Sequence, residues 1–234
     1  MIGNSNIGFV LDTCSNYGEI VSAAKNAGGF VGYAYGTNDH YPVVINCVNK
    51  GKVTGGAYVS QFVAYCNTVK TEIKNNVGAG VLVAAVDTAK IALISGSSAD
   101  LTKITVTGNY FAENDATAYY TYTATETNTA SVVEFASRPA GSVAIATAAQ
   151  LASGEVAYNL NKAIGSTVFY QTIGTDAIPT TNSASKVVYL VNGAFTNIAP
   201  EAPAPAPTGD SAVAIVLALM AVSAGAVLTM KKVR

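Results

Sequence analysis

Between residues 7 and 83, groups of two or three β-branched or aromatic residues alternate with Gly and Asn. Phe9-Val10, Phe30-Val31, Phe62-Val63 and Leu82-Val83 head successive groups, at intervals of 21, 32 and 20 residues. Between them, Cys14-Ser15-Asn16-Tyr17-Gly18-Glu19-Ile20 recurs as Cys47-Val48-Asn49-Lys50-Gly51-Lys52-Val53, and 67–73 fills a third, degenerate copy. A repeat of about twenty residues is too short for a helical hairpin and predicts one coil of a β-solenoid. Corners fall at Gly and Asn, which tolerate left-handed backbone. The 32-residue interval then requires an insertion, the polar stretch Gly36-Thr37-Asn38-Asp39-His40-Tyr41-Pro42. Strands at 89–94 and 103–107, split by Ser95-Gly96-Ser97-Ser98, extend the solenoid region over 1–111.

A Thr, Ala and Tyr rich connecting segment follows at 112–146. The weak alternation of Tyr119-Tyr120-Thr121-Tyr122-Thr123 predicts an exposed hairpin or linker, and a sugar-stacking platform at 117–130 is the sharper reading. Residues 147–198 read as a small α+β module separate from the solenoid. Thr147-Ala148-Ala149-Gln150 forms a capping box. The helix behind it places Ala149, Ala152, Val156, Leu160 and Ala163 on one face, weakened at Gly154. Strands are expected at 167–173 and 186–191.

The end of the chain has three blocks. Residues 199–210 form a Pro-rich spacer, held extended by prolines at 200, 203, 205 and 207. Residues 211–230 carry no charge and are long enough for a transmembrane helix. Lys231, Lys232 and Arg234 form a basic cytoplasmic tail that places the preceding chain outside.

Two resemblances follow. The tail resembles the cell-wall sorting signal of Gram-positive surface proteins, with Pro207-Thr208-Gly209 ahead of the span, although Ala206 stands where that pattern has its proline. The resemblance implies a sortase-type transpeptidase cutting between Thr208 and Gly209 and joining Thr208 to peptidoglycan; a plain single-pass anchor is the alternative. Gly28-Gly29-Phe30-Val31-Gly32, with the Cys47 to Val53 segment, resembles the GLUG-type repeats of large bacterial surface proteins. That implies a right-handed parallel β-helix and no chemistry. Residues 151–161 and 170–179 resemble a small module that often follows such repeats in gut-bacterial surface proteins.

Charge and chemistry narrow the function. Residues 1–208 hold ten Lys and Arg against thirteen Asp and Glu, a net charge of −3 that gives nucleic acid no electrostatic purchase. Cys14, Cys47 and Cys66 are widely spaced and accompanied by the single His40, which does not make a zinc site, and no cofactor is expected. Equivalent slots favour three buried thiols over one disulfide with a leftover. Glycoside hydrolysis needs two facing carboxylates. Only Glu19 and Glu72 share a repeat slot, with Lys52 between them, which reads as a solvated charge ladder; Asp39-His40 sits in the polar insertion. No catalytic residues are assigned.

Met1 to Asn6 lacks a signal peptide's basic start and apolar run, so the chain reads as a C-terminal fragment of an exported protein. The function expected is non-enzymatic structural display or adhesion at the cell surface, through the wall or the membrane, toward a host or polysaccharide ligand. A carbohydrate-active or carbohydrate-binding β-helix is the alternative.

Overall fold

The structure, a computed structural model, describes residues 2–5, 8–37, 39–67, 70–87, 89–92, 95–97, 104–113, 118–122, 132–134 and 140–202. Among these, residues up to Ala199 form one compact unit.

The first coil holds β1 (Ile2–Ser5), β2 (Val10–Asp12), β3 (Ser15–Asn16), β4 (Ile20–Ser22) and β5 (Ala27–Gly28). The second holds β6 (Val31–Tyr35), β7 (Val43–Ile45), β8 (Val48–Asn49), β9 (Val53–Gly55) and β10 (Tyr58–Ser60). The third holds β11 (Val63–Asn67), β12 (Thr71–Lys74), β13 (Val77–Gly78), β14 (Leu82–Ala84) and β15 (Lys90–Ile91). A fourth follows with β16 (Ser95–Ser97), β17 (Ile104–Thr107) and β18 (Asn109–Ala112). From β1 to β13, each strand pairs in parallel with the strand five places on, so each of these coils lies in register on the one before. The protein is mainly β, with parallel sheets in the arrangement of a β-solenoid.

One circuit is therefore 29 to 33 residues, as in Ile2 to Val31 and Val10 to Val43, and not about twenty. Phe30 and Phe62 head true neighbouring coils, whereas Phe9 precedes a different strand and Leu82 pairs with Val53. The Cys14 and Cys47 segments are equivalent, as their pairing shows, but the third copy is Asn76 to Leu82 rather than 67–73. The polar loop at 36–42 does lengthen its coil, because the offset rises from 29 at Ile2–Val31 to 33 at Val10–Val43. It accounts for those few residues and no more.

Each coil turns the corner before the third strand with one left-handed residue: Thr13 (φ 56°), Asn46 (56°), Asn75 (54°), Gly108 (67°) and Gly141 (72°). Four of the five are Asn or Gly, as the sterics of this region require. Thr13 is β-branched and strained there. Thr13→Asn is expected to raise stability by about 1 kcal/mol, or roughly 2–4 °C in melting temperature. An unchanged melting curve would remove the strain argument.

The residue after each of the three middle corners turns inward and reaches the coil before it. The single thiol proton of Cys47 is shared between Ile45 O (3.0 Å) and Leu11 O (3.6 Å). In the next coils Asn76 Nδ2 donates to Val44 O (3.0 Å) and Asn109 Nδ2 to Ile73 O (2.9 Å), which are the carbonyls equivalent to Leu11 O. The thiols occupy a hydrogen-bonding slot, not the merely apolar one expected. Burial pushes the Cys47 thiol up to about 12, which keeps its proton in place for donation.

A second polar ladder runs alongside. Asn16 Nδ2 donates to Asn49 Oδ1 (2.8 Å), and Asn49 Nδ2 donates to Gln61 Oε1 (2.7 Å). The third coil has Gly78 in the asparagine slot, and a Cβ there would meet Phe111 at 2.7 Å and Gln61 at 2.8 Å. Gln61 fills the vacated rung and donates to Gly80 O. Between the ladders lies a core of Phe30, Val31, Val44, Phe62, Val63, Ile73 and Phe111.

The solenoid does not end at residue 111. Within the expected connecting segment, β19 (Ala118–Tyr122) pairs in parallel with β16, β20 (Val132–Glu134) runs antiparallel to β19, and β21 (Val143–Ala146) extends the sheet containing β18. Ser95–Ser97, expected as a break, is itself a paired strand.

Nor do residues 147–198 stand apart. The capping box is present at Thr147 and Gln150, but the helix divides into α1 (Ala148–Ala152) and α2 (Glu155–Ile164). Gly154 (φ 91°) separates them, where a Cβ would lie 2.8 Å from Val188. Leu151, Val156, Ala157 and Leu160 are buried against Phe169, Ile178 and Val188, and also against Val48 and Val77 on the outer face of the β8–β13 sheet. Burying each valine contributes about 1.5 kcal/mol or more, and both would be exposed without the helices. The helical segment is a flank of the solenoid.

The expected strand at 167–173 is reduced to a Tyr170–Thr180 bridge. Its backbone is held by side chains instead: Asn161 Oδ1 accepts from the amides of Val168 (2.9 Å) and Phe169 (2.8 Å), and Asn197 Oδ1 from that of Ile173 (2.8 Å). The later strand shortens to β22 (Tyr189–Val191), which forms a hairpin with β23 (Ala194–Thr196) through Asn192 (φ 50°) and Gly193 (φ 79°). Among the described residues no helix is long and apolar enough to cross a membrane. The expected span at 211–230, the basic end, and Thr208 and Gly209 lie outside the described residues.

Candidate functional site

Coil stacking decides which charged residues meet. Glu19 and Lys52 are neighbours across two coils, 2.9 Å apart and about half exposed, so the pair adds little stability. Glu72 is not the third rung. It pairs with Val43 on another sheet, and the position following Lys52 is Val81. Glu72 is surrounded instead by Lys74 (2.7 Å), Lys70 (3.1 Å) and the Tyr41 hydroxyl (3.2 Å), with the Lys70 ammonium 4.0 Å from the Tyr41 ring centroid. The Lys74 ammonium holds its carboxyl below the usual range against the opposing effect of burial. Asp12 accepts from Thr13 Oγ1 and Asn46 Nδ2, each at 2.8 Å. Asp39 and His40 lie exposed in the 36–42 loop, where His40 N donates to Thr37 Oγ1 (3.1 Å). Asp12, Glu19 and Glu72 are thus each engaged by a neighbouring side chain of opposite or hydrogen-bonding character among the described residues.

Tyrosines form a stack of their own. Tyr33 and Tyr65 overlap at 5.1 Å with planes 11° apart, and Tyr58 leans on Tyr65 at 5.1 Å. Ring faces cover one another. Of the 117–130 passage expected to hold a stacking platform, only 118–122 is described, as β19.

Two depressions are formed by described residues. An apolar groove of about 520 Å³ at the first coil is lined by Ile2, Ile20, Val21, Ala27, Phe30 and Tyr33. A cleft of mixed polarity, about 330 Å³, lies between the first two coils and the flank, with Tyr17, Lys50, Thr175, Asp176, Asn182 and Ser185 beside Ala177 and Ile178. Two hydroxyl pairs tie the first coil to the flank: Tyr17 with Thr180 and Ser15 with Thr181, each at 2.7 Å. No spacing in the sequence announces this cleft, because its walls come from segments far apart along the chain.

The profile of the GLUG motif matches residues 23–54. Its length is that of one circuit, from the end of the first coil into β9 of the second: it opens after Ser22, and Ser22 pairs with Gly55, the residue that follows its end. Residues 23–54 are a GLUG motif. The GLUG unit is thus one circuit of the stack, carrying a buried Cys47 brace and an Asn49 rung. Among solved structures, the chain is similar to a "putative immunoglobulin A1 protease from Bacteroides ovatus", with TM-score 0.45 and 13% identity over 77% of this chain. The chain spans 62% of that protein's length. No curated protein matches the chain in sequence.

Proposed function

We propose that this is a non-enzymatic cell-surface protein in which a GLUG-bearing solenoid serves display or adhesion. The observation that carries the reading is that Asp12, Glu19 and Glu72 are all engaged by neighbours, while the GLUG coil uses its polar side chains to brace the stack. Such a body is a spacer with a surface, not a catalytic groove. A Pro-rich spacer, an uncharged stretch and a basic end at 199–234 support anchorage, with Thr208-Gly209 as the point where a sortase-type transpeptidase joins the protein to peptidoglycan. The body then faces outward, toward a host or polysaccharide ligand.

The test is a C-terminal peptide map of protein released from the producing cells by a muralytic enzyme. The expected terminal peptide ends at Thr208 and carries wall material. Peptides crossing Thr208-Gly209, from protein extractable by detergent alone, would replace wall linkage by a membrane anchor. Recovery only from the soluble lysate would overturn surface display.

A further inference from the structure

We propose that the cleft between the first two coils and the flank binds a saccharide, with a sugar ring stacked on Tyr17 and an acidic substituent met by Lys50. The proposal rests on the non-catalytic reading above and supplies its ligand class. Tyr17 is 56% exposed, yet its hydroxyl is fixed to Thr180 Oγ1 at 2.7 Å. Thr180 is itself buried and tied through both backbone groups to Tyr170, at 2.8 and 2.9 Å. The ring is therefore an open aromatic face held rigid before any ligand arrives, which removes much of the ordering cost of binding. An exposed flat ring of this kind suits the C–H face of a pyranose.

Several polar groups of the lining offer hydrogen bonds that the described residues do not use. Among the described residues nothing partners the Lys50 ammonium, the Thr175 and Ser185 hydroxyls or the Asn182 amide nitrogen. Asp176 accepts from Thr172 N through Oδ2 (2.6 Å) and keeps Oδ1 available. Asn182 Oδ1 accepts from Ala184 N (3.0 Å), which fixes the amide with its donor spare. Several hydroxyl-sized donors and acceptors around one ring match a polyhydroxylated ligand, whereas an apolar ligand would strand them. A phosphate-rich ligand is disfavoured by a single cation set against Asp176. Lys50 has no carboxylate partner among the described residues, and a uronate or sialate carboxylate would supply one.

The test applies the full chain, in detergent, to an array of neutral, uronic-acid and sialic-acid glycans. Binding to acidic glycans is expected. Tyr17→Ala should weaken it about tenfold or more, and Lys50→Ala should abolish the preference for acidic over neutral glycans. Because Tyr17→Ala also loses the tie to Thr180, Asn182→Ala serves as the second variant, expected to weaken binding with the melting curve unchanged. Binding to no glycan, or binding indifferent to both Tyr17→Ala and Asn182→Ala, overturns the site and leaves the solenoid reading intact. Binding to neutral glycans alone overturns the role of Lys50. Cleavage of a bound glycan would instead sink the non-catalytic reading and leave the site standing.

Discussion

Asn109→Ala is expected to lower stability by about 3 kcal/mol or more, roughly a 10 °C fall in melting temperature for a unit of this size. The side chain is fully buried and joins three coils. The two protons on its Nδ2 are shared among Ile73 O (2.9 Å), Thr107 O (3.2 Å) and Ser142 O (3.2 Å). Its Oδ1 accepts from the backbone and side-chain nitrogens of Asn76, at 3.1 and 2.9 Å. Removing it leaves polar groups buried where water does not reach, and the cost of an unmet buried group exceeds the worth of one bond. Asn109→Cys should recover part of the loss, since Cys47 fills the same slot as a donor, but not the acceptor half. Thermal unfolding followed by circular dichroism separates the unaltered protein from these two variants. A melting temperature that Asn109→Ala leaves unchanged would mean that the ladder contributes nothing.

Phe62→Ala should cost about 3–5 kcal/mol through the cavity it leaves. Phe62 is fully buried between Phe30, whose ring lies 6.2 Å away and nearly parallel, and Phe111, which meets it edge-on at 5.5 Å. Its neighbours are fixed by strand pairing on both sides and cannot close the gap. Phe30→Ala should cost less, because Phe30 borders the open groove at the first coil, where solvent can enter. Urea denaturation midpoints compare the two. A larger loss at Phe30 than at Phe62 would show that the first coil, not the second, is the centre of the core.

Much of the site's scaffold was legible because stacking forces like onto like. The Cys14 and Cys47 segments share a pattern and do lie one above the other. The true period is hidden in the sequence for an equally physical reason. The strands of a coil are all short, and more than one follows a Gly-Phe-Val sequence or its like, so Gly8-Phe9-Val10 looks like Gly29-Phe30-Val31 although the two belong to different sheets. The same likeness aligns Glu72 with Lys52 along the sequence, although Glu72 lies on β12 and Lys52 leads into β9, in a different sheet. The replacement of cysteine by Asn76 and Asn109 hid the later copies, because the slot selects for a donor that reaches the preceding coil rather than for one residue type.

Local chemistry determined the rest that sequence could reach: the Thr147 capping box, the loop at 36–42, and a β-rich body with coil-forming repeats. These depend on neighbours within a few residues or on periodic identity, and both are written along the chain. Only the tertiary structure decided that α1 and α2 lie against Val48 and Val77, and that Asn161 and Asn197 hold 167–173 out of a sheet. It alone brought Tyr17 and Lys50 to Asp176 and Asn182. Those contacts join segments far apart in sequence through shape and unmatched hydrogen bonds, which leave no period and no spacing to read.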